Sequence, residues 1–296
     1  MTTKSAFIAI VGKPNAGKSS LLNALMGEKI AIISDKPQTT RTRITGVLTE
    51  EHIQLVFTDT PGLHKPKNKL SEYMVKQIDD SIGDVDCAIL VVEAFGEITN
   101  AEKQLIENFK TLKMPAILAL NKIDTLQNKE DMLPKLAAFQ QLYNFEEIIP
   151  ISVTENDGLD ILLNAIKAQA QEGPHFFPED TLTDQPEKVI AGEIIREKVL
   201  RNMRDEIPHG IAVIIEKMRE REGKDIIDID ATILCEKASH KGMIIGKQGT
   251  MLKKIGSEAR TEIEAFMDCK INLQCWVKVR TDWRNSPTAM KDLGFN

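Results

Sequence analysis

Three apolar runs in the first half of this chain each end in a short polar motif, and that repeated join limits the fold more than any other feature. Ala6–Val11 runs into Gly12-Lys13-Pro14-Asn15-Ala16-Gly17-Lys18-Ser19, Ile53–Thr58 into Asp59-Thr60-Pro61-Gly62, and Ala116–Leu120 into Asn121-Lys122-Ile123-Asp124. A continuous apolar run such as Ala116–Leu120 suits a strand buried on both faces of a parallel sheet. Cys87–Val92 is a fourth such run, and Ile44–Leu48 is a short strand joined to Ile53–Thr58 by a polar turn. Helical stretches lie between them, at Ser19–Met26, Leu70–Ile82, Ala101–Phe109 and Leu159–Ala170. Strand–helix alternation predicts an α/β, doubly wound, mostly parallel sheet with ligands at the carboxyl ends of its strands. All three motifs stand at such ends.

Each motif suits a different part of one ligand. Gly12 and Gly17 permit turns that aim backbone N–H groups at an anion ahead of a helix N-terminus. Lys18 adds charge where β- and γ-phosphates would sit, and Ser19 offers a hydroxyl to Mg²⁺. Read alone, the segment is a glycine turn with a surface lysine. Asp59 closes its strand as a magnesium holder acting through water, and Gly62 brings an N–H to a γ-phosphate; alone, Asp-Thr-Pro-Gly is an ordinary turn. The Asp124 carboxylate accepts two hydrogen bonds from N1–H and the exocyclic amine of guanine, a pair that adenine does not offer. Asn121 would hold loops together and Lys122 cover the ring, although the isolated tetrapeptide is a helix-leading turn. In this order, the three make a guanine-nucleotide site the leading reading. The residue after Gly62 is Leu63, whose side chain has no hydrogen-bonding group for an attacking water. No side-chain general base is therefore assigned, and slow intrinsic turnover is expected, raised by a partner or a monovalent cation.

From Gly173 the character changes. Gly173-Pro174-His175-Phe176-Phe177-Pro178-Glu179-Asp180 reads as a linker, with the two phenylalanines as an anchor on a flanking domain. A helix at Glu187–Arg201, strands at Ile211–Lys217 and Ile226–Leu234, a glycine loop, a helix and a strand at Ile271–Val279 follow. Leu252, Ile255, Ala259, Ile263 and Phe266 form an apolar stripe on that second helix. In the strand, Ile271, Leu273, Cys275, Val277 and Val279 share one face. This is a small α+β domain.

Net charge argues against nucleic acid only if averaged. The chain carries −6 overall, −5 before and −1 after about residue 172. Between Glu236 and Glu258 no acidic residue occurs, while Lys237, Lys241, Lys247, Lys253 and Lys254 do. Such a local basic surface can hold a phosphate backbone. The four cysteines make no paired or metal-ligand spacing, which suggests reduced, buried thiols. The longest apolar runs are far short of a bilayer span, and the first residues lack signal-peptide architecture.

The three motifs resemble the G1, G3 and G4 elements of the translation-factor-related GTPases, and Pro37-Gln38-Thr39-Thr40-Arg41 resembles their switch I. The resemblance implies GTP/GDP and Mg²⁺ as ligands. It places nucleotide contacts on Gly12, Lys13, Pro14, Asn15, Ala16, Gly17, Lys18 and Ser19, then on Asp59, Thr60, Pro61, Gly62 and Leu63, and on Asn121, Lys122, Ile123, Asp124 and Ser152. Ser152 matches the base-contacting serine of G5, with Val153 where alanine is usual. Ser19, Thr40 and Asp59 would hold the metal, with Thr39 the alternative to Thr40; Lys18 and Thr40 would serve catalysis. Asn15 matches an asparagine that seats K⁺ in some relatives, with a loop-stabilising asparagine as the other reading.

His240-Lys241-Gly242-Met243-Ile244-Ile245-Gly246-Lys247-Gln248-Gly249 resembles the glycine loop of a type II KH domain. There Gly246, Lys247, Gln248 and Gly249 would let an RNA backbone pass, with Lys247, Lys241 and Lys253 on its phosphates and Ile244, Ile245 and Leu252 building groove and core. The pairing is similar to the Era family along nearly the whole chain. Glu193–Lys198, Glu206-Ile207-Pro208-His209, Trp276–Val279 and Trp283-Arg284 carry the rest of that likeness. It implies a GTPase domain over 1–172, a linker over 173–186 and a KH domain with tail over 187–296. It further implies small-subunit ribosomal RNA and the small ribosomal subunit as partners, and a mostly monomeric cytoplasmic protein with loose peripheral membrane association. Three readings stand: a GTP-hydrolysing switch that controls RNA binding, an RNA-binding module in which GTP is structural, and a P-loop kinase or ATPase, against which Asp124 counts.

Overall fold

The computed structural model describes every residue except Met1, Asp35, Pro37, His64, Lys65, residues 204–209 and Asn296, together with the Asp79 side chain. Pro37 of the switch I likeness and the Glu206–His209 lead-in therefore lie outside the described residues. The chain divides into two compact units, one of residues 1–31, 40–65 and 74–184, the other of 32–39, 66–73 and 185–296.

In the first unit the alternation of the sequence becomes β1 (Lys4–Val11), α1 (Lys18–Met26), β2 (Ile44–Glu50), β3 (Ile53–Asp59), α2 (Lys69–Gly83, whose first turns count with the second unit), β4 (Cys87–Glu93), α3 (Asn100–Leu112), β5 (Ala116–Asn121), α4 (Leu133–Leu142), β6 (Glu147–Pro150), α5 (Leu159–Lys167) and β7 (Gln171–Glu172). The sheet runs β2-β3-β1-β4-β5-β6, parallel except for the β2–β3 hairpin, and β7 pairs antiparallel with β1.

Strand alternation splits the apolar side chains between two cores. Ile8, Ile10, Ile89 and Val91 meet Leu21 and Leu25 of α1 and Leu162 and Ile166 of α5. Ala9, Val11, Leu90 and Val92 meet Ile78 and Ile82 of α2, Leu105 and Phe109 of α3 and Phe139 of α4. Because both faces are covered, the strands read as unbroken apolar runs. Each fully buried Ile, Leu or Phe contributes about 1.5–3 kcal/mol. The central strands are thus rigid, and the loops at their carboxyl ends start from fixed points.

The proline- and acid-rich stretch from Gly173 to Asp184 belongs to this first unit. Gln54, fully buried on β3, accepts from the Phe176 and Phe177 N–H groups at 2.7 and 3.0 Å and donates to the Phe177 carbonyl at 2.9 Å. The Phe176 ring meets Phe7 edge-on at 4.9 Å. Further along, the Val47 N–H donates to the Leu182 carbonyl at 2.9 Å, so the stretch covers the open edge of β2. The phenylalanine anchor holds on this side.

The second unit contains α6 (Glu187–Asn202), β8 (Ala212–Glu220), β9 (Ile226–Cys235), α7 (Ala238–Ile245), α8 (Thr250–Met267), β10 (Lys270–Val279) and α9 (Pro287–Asp292). Its sheet is β10-β9-β8, with β9–β10 parallel and β8–β9 antiparallel. Ile190, Ile194 and Ile195 of α6 and Ile255, Ala259 and Ile263 of α8 cover one sheet face. Val279, expected inward on β10, is 41% exposed because it ends the strand beyond the helices' cover. Trp283 is wholly buried and donates to the Gly210 carbonyl at 3.0 Å, fixing the chain after β10.

Two short segments of the front half count with this unit. Arg196, buried on α6, donates to the Thr39 carbonyl, and Arg201 Nε donates to the Ile33 carbonyl at 3.1 Å. The Tyr73 ring lies 5.8 Å from that of Phe295.

Candidate functional site

Parallel strands deliver their next residues to one edge of the sheet, so the loops after β1, β3 and β5 meet there. At one pole of the site, three oxygen-bearing side chains converge. Ser19 Oγ lies 2.9 Å from Thr40 Oγ1 and donates to Asp59 Oδ2 at 2.6 Å; Thr40 Oγ1 reaches the same oxygen at 3.3 Å. Asp59 is fully buried, and its other oxygen, Oδ1, has no hydrogen-bond partner. A hydroxyl, a second hydroxyl and a carboxylate with a spare buried lone pair form a donor set suited to a hard cation such as Mg²⁺. Thr39 is not part of it, since its hydroxyl donates to the Lys36 carbonyl at 2.6 Å.

Lys18 stands beside this group, 6% exposed, with its ammonium on the Lys13 carbonyl at 3.1 Å. Burial pushes the Lys18 pKa down, and the Asp59 charge opposes that shift. Burial pushes Asp59 up, opposed by Lys18 and by its hydrogen bonds with Ser19, Thr40 and Thr60. Both groups are thus biased toward neutrality. A bound anion and cation would reverse both biases.

Close approach explains two of the glycines. A Cβ on Gly17 would stand 2.3 Å from Asn121 Nδ2, and one on Gly62 would stand 2.6 Å from the Pro14 nitrogen. Leu63 donates its N–H to the Gly12 carbonyl at 3.2 Å and buries its side chain with Ile78 and Leu90. It brings no hydrogen-bonding side chain to the site. Thr60 spends its hydroxyl on the Ile10 carbonyl at 2.9 Å, while Ile123 packs into the core. These two shape their loops.

At the other pole, Asn121 does what its position suggested. Its Nδ2 donates to the Ala16 carbonyl at 2.9 Å, and its Oδ1 accepts from the Lys122 and Val153 N–H groups at 2.8 and 3.2 Å. The P-loop, the base loop and the Ser152 loop are thereby joined through one amide. Ser152 Oγ donates to Asp124 Oδ1 at 2.6 Å and accepts from the Glu155 N–H at 3.1 Å. Val153 in place of alanine leaves the backbone contact intact. The Lys122 ammonium donates to Glu93 at 2.6 Å, a partner the sequence reading did not include.

The second unit holds a different surface. Between α7 and α8 a short turn carries Gly246, Lys247, Gln248 and Gly249, with Lys247 and Gln248 exposed. Beside it lies a groove of about 430 Å³ lined by Gly249, Leu252, Lys253, Ser257, Arg260 and Leu273, among others. Lys253 is exposed at the rim, Lys241 is half-buried, and Ile244 is fully buried in the core. Ser257 and Arg260 were missed by sequence reasoning. They recur at helical spacing after Lys253, so the periodicity of α8 held the signal.

Comparison with known proteins follows this division. Residues 7–122 match the family of 50S ribosome-binding GTPases, and residues 206–284 match the KH domain. The chain is 52% identical to the GTPase Era of Ruminiclostridium cellulolyticum over 295 residues, covering 100% of this chain and 98% of that one. It is 49% identical to the GTPase Era of Clostridioides difficile, covering 99% of each. Two crystal structures, each at 37% identity, TM-score 0.95 and 99% coverage of both chains, are also similar. One is a substituted Aquifex aeolicus Era bound to GDP and AlF4⁻; the other is an Era in complex with MgGDPNP and nucleotides 1506–1542 of 16S ribosomal RNA. Identity near one half over essentially the full length of both chains shows that this chain belongs to the Era family of GTPases.

Proposed function

We propose that this GTPase is a slow switch that binds small-subunit ribosomal RNA through its second unit and acts in assembly of the small ribosomal subunit. One observation carries the switch reading. Thr40 faces Ser19 and Asp59, while Thr39 and Ile33, just before it, accept from Arg196 and Arg201 of α6 and count with the second unit. Segment 66–73, shortly after Gly62, likewise counts with that unit. A γ-phosphate that draws in Thr40 and Gly62 would therefore pull on chain anchored outside the nucleotide site.

Ser19, Thr40 and Asp59 would hold Mg²⁺, which when bound offsets charge on the β- and γ-phosphates. Lys18 would neutralise the transferred phosphoryl group from its buried position. Asp124, oriented by Ser152, would select guanine, and Lys122 would cover its ring. With Leu63 buried, no side chain is assigned to orient water, in keeping with slow turnover. Asn15, whose backbone is left-handed at φ 64°, is proposed as a K⁺ seat; exchanging K⁺ for Na⁺ should then slow hydrolysis. In the second unit, Gly246–Gly249 would take the RNA backbone, with Lys241, Lys247 and Lys253 on its phosphates. We place the protein in the cytoplasm, mostly as a monomer. Loose association with the membrane face rests on the family likeness alone; among the described residues no helix is long and apolar enough to cross a membrane.

The test is to measure affinity for a 16S ribosomal RNA 3′ fragment with GDP and with a non-hydrolysable GTP analogue. A difference of about fivefold or more is expected. Equal affinities would remove the switch and leave an RNA-binding module in which GTP is structural.

A further inference from the structure

Glu93 is the last residue of β4, and β4 lies between β1 and β5 in the sheet. The P-loop leaves β1 and the base loop leaves β5, so Glu93 ends on the strand that separates the two halves of the nucleotide site. Its two carboxylate oxygens are divided between them. Oε2 takes the ammonium of Lys13 from the P-loop, and Oε1 takes that of Lys122 from the base loop at 2.6 Å. The side chain is only 13% exposed. Burial raises its pKa, but the hydrogen bonds from Lys122 and Lys13 outweigh that and hold the carboxyl below its ordinary range.

The backbone around it is equally fixed. Glu93 pairs in register with Asn121, and the next N–H, that of Ala94, donates to the Asn121 carbonyl at 2.7 Å. Two residues on, the Phe95 carbonyl accepts from the buried Lys135 ammonium at 2.8 Å. A carboxylate on a rigid strand end, shared between lysines of two loops, ties those loops to one reference point.

We propose that Glu93 is a positioning residue for the guanine nucleotide, holding Lys13 of the phosphate loop and Lys122 of the base loop so that both ends of the ligand are gripped together. The proposal rests on the reading of these loops as the nucleotide site. A loose Lys122 stem would cover the base poorly, and a loose Lys13 would let the phosphate loop shift. The loss should therefore appear as faster release and a higher KM, more than in kcat.

The experiment measures dissociation of a methylanthraniloyl-labelled GDP and the KM for GTP in full-length wild type, Glu93→Gln, Lys13→Met, Lys122→Met, the two lysine changes together, and Glu93→Gln combined with both lysine changes. Glu93→Gln should release GDP about tenfold faster. It should add less than about twofold once both lysines are gone, because its effect travels through them. Release at the wild-type rate, or an effect that multiplies fully on the lysine changes, overturns the proposal. If Glu93→Gln does not fold, Glu93→Asp serves, since its shorter arm keeps the charge but loses reach; a wild-type release rate there also overturns it. Wild type that binds no guanine nucleotide would instead bring down the site assignment itself.

Discussion

The chain contains two glycine loops ahead of helices, Gly12–Ser19 and Gly246–Gly249, and they are built in opposite ways. The first is enclosed. Its lysine is buried, Gly17 touches Asn121, Pro14 touches Gly62, and Glu93 takes the ammonium of Lys13. The second is open. Lys247 and Gln248 face solvent, and beyond the adjoining chain a Cβ on Gly249 would meet nothing within 4 Å. An enclosed loop, preorganised by packing, suits a small ligand gripped from all sides. An open loop beside a shallow groove suits a polymer that enters and leaves along its length.

The sharpest way to break this comparison is at the buried lysine. Lys18→Ala should lower single-turnover GTP hydrolysis about 1,000-fold, because a preorganised charge is lost where water is excluded. RNA affinity of the nucleotide-free protein should stay unchanged. The same variant has a pH signature. Asp59, already raised by burial, loses the Lys18 charge that opposed the shift. A carboxyl raised in the folded state adds stability while protonated, and that stability is lost as pH climbs from the ordinary carboxylate range through the folded value. Melting temperature relative to wild type should thus fall as pH rises; a flat difference would mean that the two charges are not coupled.

The open loop answers to a different change. Lys247→Asp with Gln248→Asp should weaken RNA binding more than about 100-fold at moderate salt and flatten its salt dependence, as phosphate contacts are replaced by repulsion. Filter binding across a salt series reads both effects. GTP hydrolysis without RNA should match wild type; a matching loss there would contradict the separation of the two sites.

Base choice gives a finer test of the enclosed site. In Asp124→Asn, one amide oxygen replaces the carboxylate proposed to accept two guanine N–H groups, so GTP affinity should fall about 100-fold. Inosine triphosphate lacks the exocyclic amine and should lose less. Calorimetry with both nucleotides measures the gap, and equal losses would show that Asp124 does not read that amine.

These two loops also differ in how far the sequence revealed them. Apolar runs ending in Gly12, Asp59 and Asn121 announced the parallel sheet and its working edge, because strands buried on both faces are mostly apolar; Gln54, the buried exception on β3, is satisfied by the Phe176–Phe177 backbone. The weaker elements escaped. β6 has four residues and ends on Pro150, and α4 begins Leu133-Pro134 with little periodicity. Glu93 carried no local signal either, since a glutamate after an apolar strand is commonplace until topology sets Lys13 and Lys122 on its two sides. The hold of Arg196 on the Thr39 carbonyl joins residues more than 150 positions apart, and no spacing rule reaches across that distance. In α8 the apolar stripe and Lys253 were legible, while Ser257 and Arg260, which follow Lys253 at helical spacing, were passed over.

The smallest effect lies within the open loop and separates fold from function there. Gly246 has φ 73° and ψ 177°, a region essentially reserved for glycine, and a Cβ would stand 2.7 Å from Met251 Cβ and 2.9 Å from its nitrogen. Gly249 has φ 78° with open space around it. Gly246→Ala should therefore cost about 3 kcal/mol of stability, from strain and clash together. Gly249→Ala should cost about 1 kcal/mol, from the left-handed backbone alone. Urea unfolding of the two variants measures the difference. If RNA backbone passes over the open side of the turn, Gly249→Ala should still weaken RNA binding severalfold, because its methyl fills the space the polymer needs. RNA affinity that follows stability alone would mean that both glycines serve the turn and neither serves the ligand.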